Sequence, residues 1–214
     1  GGLVKYRADI DGLRTVAVVP VLVFHAGLGL PGGFVGVDVF FVISGFLITT
    51  ILWEEMKTGT YSIVTFYERR IRRIFPALFA VLALTTVVAA AVMLPYHLDD
   101  YGKSLAAAMM FLSNVWFYLS TSYFNESAEI KPLLHTWSLA IEEQYYVVFP
   151  VLLWGLFRLF SRTVIWWGLA ALAAASLGLA TWAVGVDPDG AFYLPQYRAW
   201  ELFVGSLLAI ALAE

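Results

Sequence analysis

Apolar runs of membrane-crossing length constrain this chain more than any other feature. Seven of them lie at roughly 11–30, 34–53, 76–95, 104–121, 137–160, 164–184 and 199–213, and about 20 apolar residues in succession suffice to cross the hydrocarbon core of a bilayer. Only 14% of the 214 residues are charged, against roughly 25% in a soluble domain. So little polar surface cannot coat a water-soluble fold, and the chain reads as a polytopic integral membrane protein. Each run is expected to be helical, because a segment in lipid must satisfy its own backbone hydrogen bonds. The expected fold class is therefore all-α, a bundle of transmembrane helices whose first partner is the lipid bilayer. At a net charge of −3, nucleic acid is not an expected partner.

Charge sets the orientation. Lys57, Arg69, Arg70, Arg72 and Arg73 crowd the connection between the second and third runs, and clustered Lys and Arg mark the cytoplasmic side. Lys5 and Arg7 put the N-terminus on that side too. Arg158 and Arg162 flank the end of the fifth run and also belong inside, yet seven full crossings would leave them outside. Parity is restored if the fourth run, SLAAAMMFLSNVWFYLST, dips into the membrane and returns, which irregular backbone can do when protein or water surrounds it. The expectation is about six spans plus this re-entrant segment. The chain starts without methionine and stops inside an apolar run, and is read as a fragment continuing beyond Glu214.

No cysteine is present, which removes disulfides, thiolate nucleophiles and cysteine metal sites. No metal-ligand spacing or phosphate-binding glycine loop stands out. Pro20 and Pro150 are expected to kink or terminate helices. Trp116, Tyr118, Trp166, Trp167 and Trp182 suit packing or interfacial belts. Asn125-Glu126-Ser127 matches the three-residue glycosylation pattern.

What the membrane reading leaves unexplained are the ionisable residues inside the runs. Arg14 and His25 are eleven residues apart, so on a helix they share one face about 16 Å apart along the axis. A snorkelling arginine and an interfacial histidine would account for them one by one. A shared face favours a pathway. Asp38 opens the second run and is expected level with His25, where it can orient an imidazole or simply sit at a helix N-terminus. Arg69, Arg72 and Arg73 fall at i, i+3 and i+4, a convergence suited to phosphates, of a donor or of anionic lipid. His135, Ser138 and Glu142 fall on one face of the fifth run, with Glu143 about 100° away. The adjacent glutamates need partners this near a membrane, and Arg198 and His25 are the candidates. They serve either as a structural ion pair, to bind an acceptor, or to relay a proton. Arg198 and Glu201, at i and i+3, pose the same alternatives.

A basic residue, ten intervening residues and a histidine, followed by GGFVGVDVFFVISGFLIT, resemble the acyltransferase-3 family of integral membrane acyltransferases. FYERRIRRIFPA and LLHTWSLAIEEQYYVVFP are similar to the next two signatures of that family, in order, and RAWELFVGSLLA to a weaker fourth. The resemblance covers nearly the whole chain and makes residues 1–214 the N-terminal part of such a domain, without its remaining helices or any extracytoplasmic domain. It implies transfer of an acyl group, commonly acetyl, from a cytoplasmic coenzyme A thioester to a hydroxyl of an extracytoplasmic carbohydrate. Acetyl-CoA would be a substrate, with no permanently bound cofactor, and the expected location is a bacterial inner membrane.

The resemblance carries the catalytic role onto His25, as base or as transient acyl carrier. Imidazole titrates near neutrality and suits a hydroxyl that must lose its proton. Asp38 and Glu143 join it as catalytic candidates. Arg14, Arg69, Arg72 and Arg73 are donor-binding candidates, with the RxxR pattern met by Arg69–Arg72 and again by Arg70–Arg73. His135, Ser138, Glu142, Arg198 and Glu201 are acceptor-binding or structural. A proton-coupled transporter also uses His, Glu and Arg within helices, but the inverted repeats common in such folds are not visible. A purely structural subunit would not need aligned ionisable residues.

Overall fold

The computed structural model describes residues 8–120 and 131–213, with side chains from residue 12. The Asn125 pattern, Lys5, Arg7 and the side chain of Asp11 lie outside the described residues. Helices are α1 (Ala8–His25), α2 (Gly36–Lys57, after a short 3₁₀ turn at Gly33–Val35), α3 (Ile63–Val92), α4 (Pro95–Met109), α5 (Ser113–Ser120), α6 (Thr136–Leu159), α7 (Arg162–Val186), α8 (Pro188–Tyr193) and α9 (Pro195–Leu212). There is no strand among the described residues. Three stretches are long and apolar enough to cross a bilayer, Gly33–Lys57, Ile63–Val92 and Arg162–Val186. Pro20 and Pro150 both sit inside unbroken helices rather than ending them.

The chain divides into two compact units. The first comprises Gly1–Thr60, Leu152–Thr181 and Gln196–Glu214. Its helices pack through small residues. A side chain at Gly33 would strike the Pro20 carbonyl, and one at Gly36 the Ala17 carbonyl, so α1 and the start of α2 touch backbone to backbone in antiparallel register. Gly45 meets the Leu202 backbone and Gly205 the Val42 backbone, which brings α2 and α9 together in parallel. Close approach at glycine is how apolar helices associate where hydrophobicity supplies no net drive. Thr49 Oγ1 donates to Ser206 Oγ at 2.8 Å beside this contact. α7 runs antiparallel to α9, with Arg162 donating to the Ile210 carbonyl at one end and Ser176 to the Gln196 carbonyl at the other.

The second unit comprises Tyr61–Val151 and Trp182–Pro195. α3 begins at Ile63, capped by Ser62, whose Oγ accepts from the Thr65 N–H, so the arginine run lies on its early turns and not in a loop. α4 folds back along α3, since Thr86 bonds Tyr101 at 2.8 Å and the rings of Phe75 and Phe111 stand 6.0 Å apart. The apolar run at 104–121 is not one helix. It breaks after Met109, where Phe111 adopts φ 54° and the Leu112 N–H bonds back to the Ala107 carbonyl. This left-handed closing turn normally takes glycine. At 15 and 8 residues, α4 and α5 are about 22 and 12 Å long, each short of the ~30 Å hydrocarbon core. α5 turns back again, its last residue Ser120 accepting from Lys131 at 3.4 Å. α6 then runs antiparallel to α3. Tyr61 donates to the Pro150 carbonyl, Tyr67 to the Val147 carbonyl at 2.6 Å, and Arg70 stacks on Tyr146.

Candidate functional site

In the first unit, Arg14 and His25 are the ionisable residues of α1 whose side chains are described. Arg14 is half-buried, its guanidinium carbon 5.0 Å from the centre of the Phe40 ring. His25 closes the helix, exposed, its ring edge-on to Phe24. His25 Nδ1 lies 2.8 Å from the Val21 carbonyl. A carbonyl only accepts, so Nδ1 carries the proton and the ring's lone pair is at Nε2.

Asp38 lies deeper than the sequence reading placed it. Gly33 faces Pro20 and Phe24, Gly36 faces Ala17 and Val21, and Phe40 faces Arg14. Asp38 is therefore level with Ala17, eight residues or about 12 Å inward of His25. The cause is the glycine contact, which slides α2 down along α1, while the loop between them turns outward through left-handed Gly27, Gly29 and Gly32. The imidazole is oriented at Nδ1 by a backbone carbonyl. Asp38 accepts from Arg198 Nη2 on α9, and Arg198 Nη1 stands 3.3 Å from Glu201. Glu201 is fully buried, and neither of its oxygens accepts a hydrogen bond. Asp38, Arg198 and Glu201 thus form one cluster joining α2 to α9.

The second unit holds the other sequence candidates. Arg69, Arg72 and Arg73 point to the exposed side of α3, Arg72 bonded to Glu68 at 2.7 Å. Arg70 turns inward instead, 3.8 Å over the Tyr146 ring. Glu142 is buried and accepts from the Tyr146 hydroxyl. His135 is exposed just before α6, its carbonyl accepting from Ser138 at 3.2 Å, so it does not share the buried setting of Glu142. Glu143 is half-buried and lines a cavity of about 410 Å³ together with Tyr67, Arg70, Phe75, Phe111 and Gln144.

Gln144, Asn114 and Tyr67, absent from the sequence candidates, organise this cavity together with Arg70, which the sequence reading named as a site residue only in the second RxxR match. Gln144 Nε2 donates to both the Phe111 carbonyl and Asn114 Oδ1, each at 2.8 Å. Asn114, fully buried, donates in turn to the Tyr193 carbonyl at 3.1 Å. These amides fasten the break between α4 and α5 to its neighbours. Arg70 had a readable signal, because Phe66, Arg70, Leu78 and Leu82 fall at multiples of four on the buried face of α3. Tyr67, beside it, spends its hydroxyl on α6.

Residues 7–214 match the family model described as an acyltransferase domain. The chain is 39% identical to an uncharacterised protein of Haemophilus influenzae over 81% of this chain and 73% of that one. It is 37% identical to the peptidoglycan O-acetyltransferase OatA of Listeria monocytogenes over 96% of this chain and 34% of the relative. With a putative O-acetyltransferase of Staphylococcus aureus it shares 35% identity over 96% of this chain and 35% of the relative. The chain thus spans about a third of the length of the relatives named as O-acetyltransferases. No solved structure matches.

Proposed function

The chain belongs to the acyltransferase-3 family, and on that premise we propose that it houses the reacting histidine of a membrane O-acetyltransferase. The donor is cytoplasmic acetyl-CoA, and the acceptor is a hydroxyl of an extracytoplasmic glycan. The observation that carries the reading is the His25 ring: with Nδ1–H spent on the Val21 carbonyl, Nε2 is the base. Nε2 takes the acceptor's proton as the hydroxyl oxygen attacks the thioester carbonyl carbon. The carbon–sulfur bond then breaks and the imidazolium returns the proton to the departing thiolate. The activity named for the Listeria monocytogenes and Staphylococcus aureus relatives supports the acetyl group, and the peptidoglycan substrate named for the former supports a glycan acceptor.

Arg69, Arg72 and Arg73 are the docking points for the donor's phosphates, for which exposed guanidinium forks are well shaped. Arg14, on the His25 face of α1 but further in, is a further donor-binding residue. Asp38 acts as a positioning residue through Arg198, with Glu201 completing the clamp between α2 and α9. The antiparallel course of α3 and α6, with a hairpin of two short helices between them, supports about six spans plus a re-entrant segment. The arginine run, Arg158 and Arg162 then share the cytoplasmic side, in a bacterial inner membrane with the N-terminus inside.

The test is transfer of labelled acetyl from acetyl-CoA to glycan by the full-length protein in nanodiscs. We expect His25→Gln to lower the rate by about 10²–10⁴, the range for removal of a general base, with unchanged accumulation in the membrane. Near-normal transfer by that variant removes His25 from the chemistry.

A further inference from the structure

The cavity of the second unit is bounded by α3, the break between α4 and α5, and α6. Aromatic and aliphatic side chains form most of its wall, and four polar side chains reach it: Tyr67, Arg70, Glu143 and Gln144. Two of the four have spent their hydrogens. Tyr67 donates to the Val147 carbonyl, and Gln144 to the Phe111 carbonyl and Asn114. The other two have unmet capacity of opposite kind, each on a different helix. Arg70 Nε is a buried donor without an acceptor, and Glu143 Oε1 is a buried acceptor without a donor. Unmet buried groups are costly, so the pair is complementary to a neutral group that accepts and donates side by side on an otherwise apolar chain. A secondary amide has that character.

Resting on the acetyl-CoA reading above, we propose that this cavity holds the amide-bearing pantetheine arm of the donor, with Arg70 Nε–H on an amide carbonyl and Glu143 Oε1 on an amide N–H. The layout of α3 supports it. Arg69, Arg72 and Arg73 stand exposed while Arg70, in the same two turns, faces the cavity. One stretch of helix thus offers cations outside for phosphates and a single donor inside for the neutral arm. The cavity volume is within the roughly 300–1,000 Å³ of small-molecule sites. Gln144 has a separate task here: by bonding the Phe111 carbonyl it keeps the strained turn from collapsing into the space.

Two ligands separate this arm site from the phosphate site: coenzyme A, and adenosine 3′,5′-bisphosphate, which lacks the arm. Binding is measured by calorimetry on the full-length protein in nanodiscs, with thermal unfolding recorded for every variant. Glu143→Leu, Arg70→Lys and the cavity-filling Ile71→Trp are each expected to weaken coenzyme A about tenfold and leave the bisphosphate unchanged. Arg70→Lys keeps its charge over Tyr146 but loses Nε–H. Glu143→Gln, which keeps an acceptor oxygen, is expected to bind coenzyme A within about twofold of the natural chain. Arg69→Ala with Arg72→Ala is expected to weaken both ligands. If the three cavity variants bind coenzyme A normally, or lose both ligands in parallel while folded, the assignment is overturned and the cavity belongs to another occupant, such as a lipid chain. If the natural chain binds neither ligand, the acetyl-CoA reading itself fails, which is a different result.

Discussion

His25 combines two properties that a membrane histidine rarely needs together. Its place at the exposed end of α1 leaves the ring open to a substrate, and the Val21 carbonyl fixes which nitrogen holds the lone pair. Among the arginines, burial separates two kinds of task. Arg70 is held by an aromatic face and a cavity wall, whereas Arg69, Arg72 and Arg73 lie on the exposed side of the helix, where a charged ligand can reach them from solution. Arg69→Ala with Arg72→Ala should therefore raise the KM for acetyl-CoA about tenfold or more, each charged contact being worth about 1.5–3 kcal/mol, with the KM for the acceptor unchanged. Steady-state kinetics on correctly inserted protein checks this. Unchanged donor KM would leave the cluster as a topology signal alone. Sequence pattern made Arg14, His25 and the exposed arginines legible, since helical spacing decides which face a residue occupies. It could not give the depth of Asp38, because that depends on where two glycines let the helix backbones meet.

At the scale of helices, the clamp of Asp38, Arg198 and Glu201 joins α2 to α9 above the glycine contact of Gly45 and Gly205. Arg198→Leu would leave a fully buried carboxylate without its cation, a change that costs roughly 3–5 kcal/mol when a buried pair is broken. We expect a clear drop in the thermal unfolding midpoint in detergent, largely recovered by Arg198→Lys. An unchanged midpoint in Arg198→Leu would refute the clamp. The helix break at 110–112 shows the opposite limit of sequence reading. AMMFLS contains no glycine or proline to mark a turn, and the hairpin was legible only indirectly, through the charge parity set by Arg158 and Arg162. The turn is held by Gln144, about two turns into α6, which donates to the carbonyl of Phe111 in its left-handed conformation. Single cysteines at Asp100 and Ser127 (the latter outside the described residues) test the hairpin in intact cells, in a chain with no other cysteine. Both should react with a membrane-impermeant thiol reagent added outside. Reaction at Asp100 alone would mean that the segment crosses.

For the whole molecule, the decisive property is sidedness. Under the proposed function, a donor confined to the cytoplasm and an acceptor confined to the outside would require one protein to offer both faces to a single histidine. Apolar run length made the membrane character legible from sequence, and three described stretches meet the requirement for crossing. The remaining described helices are shorter or carry more ionisable residues. Inverted inner-membrane vesicles containing the full-length protein make the test direct. Labelled acetyl-CoA, which does not permeate, is supplied to the outward-facing cytoplasmic surface, and glycan sealed in the lumen is recovered and counted. The account predicts acetyl label on lumenal glycan hydroxyls with the natural chain and about 10²–10⁴ less with His25→Gln. Label that enters equally in both, or only when the vesicles are opened, would contradict it.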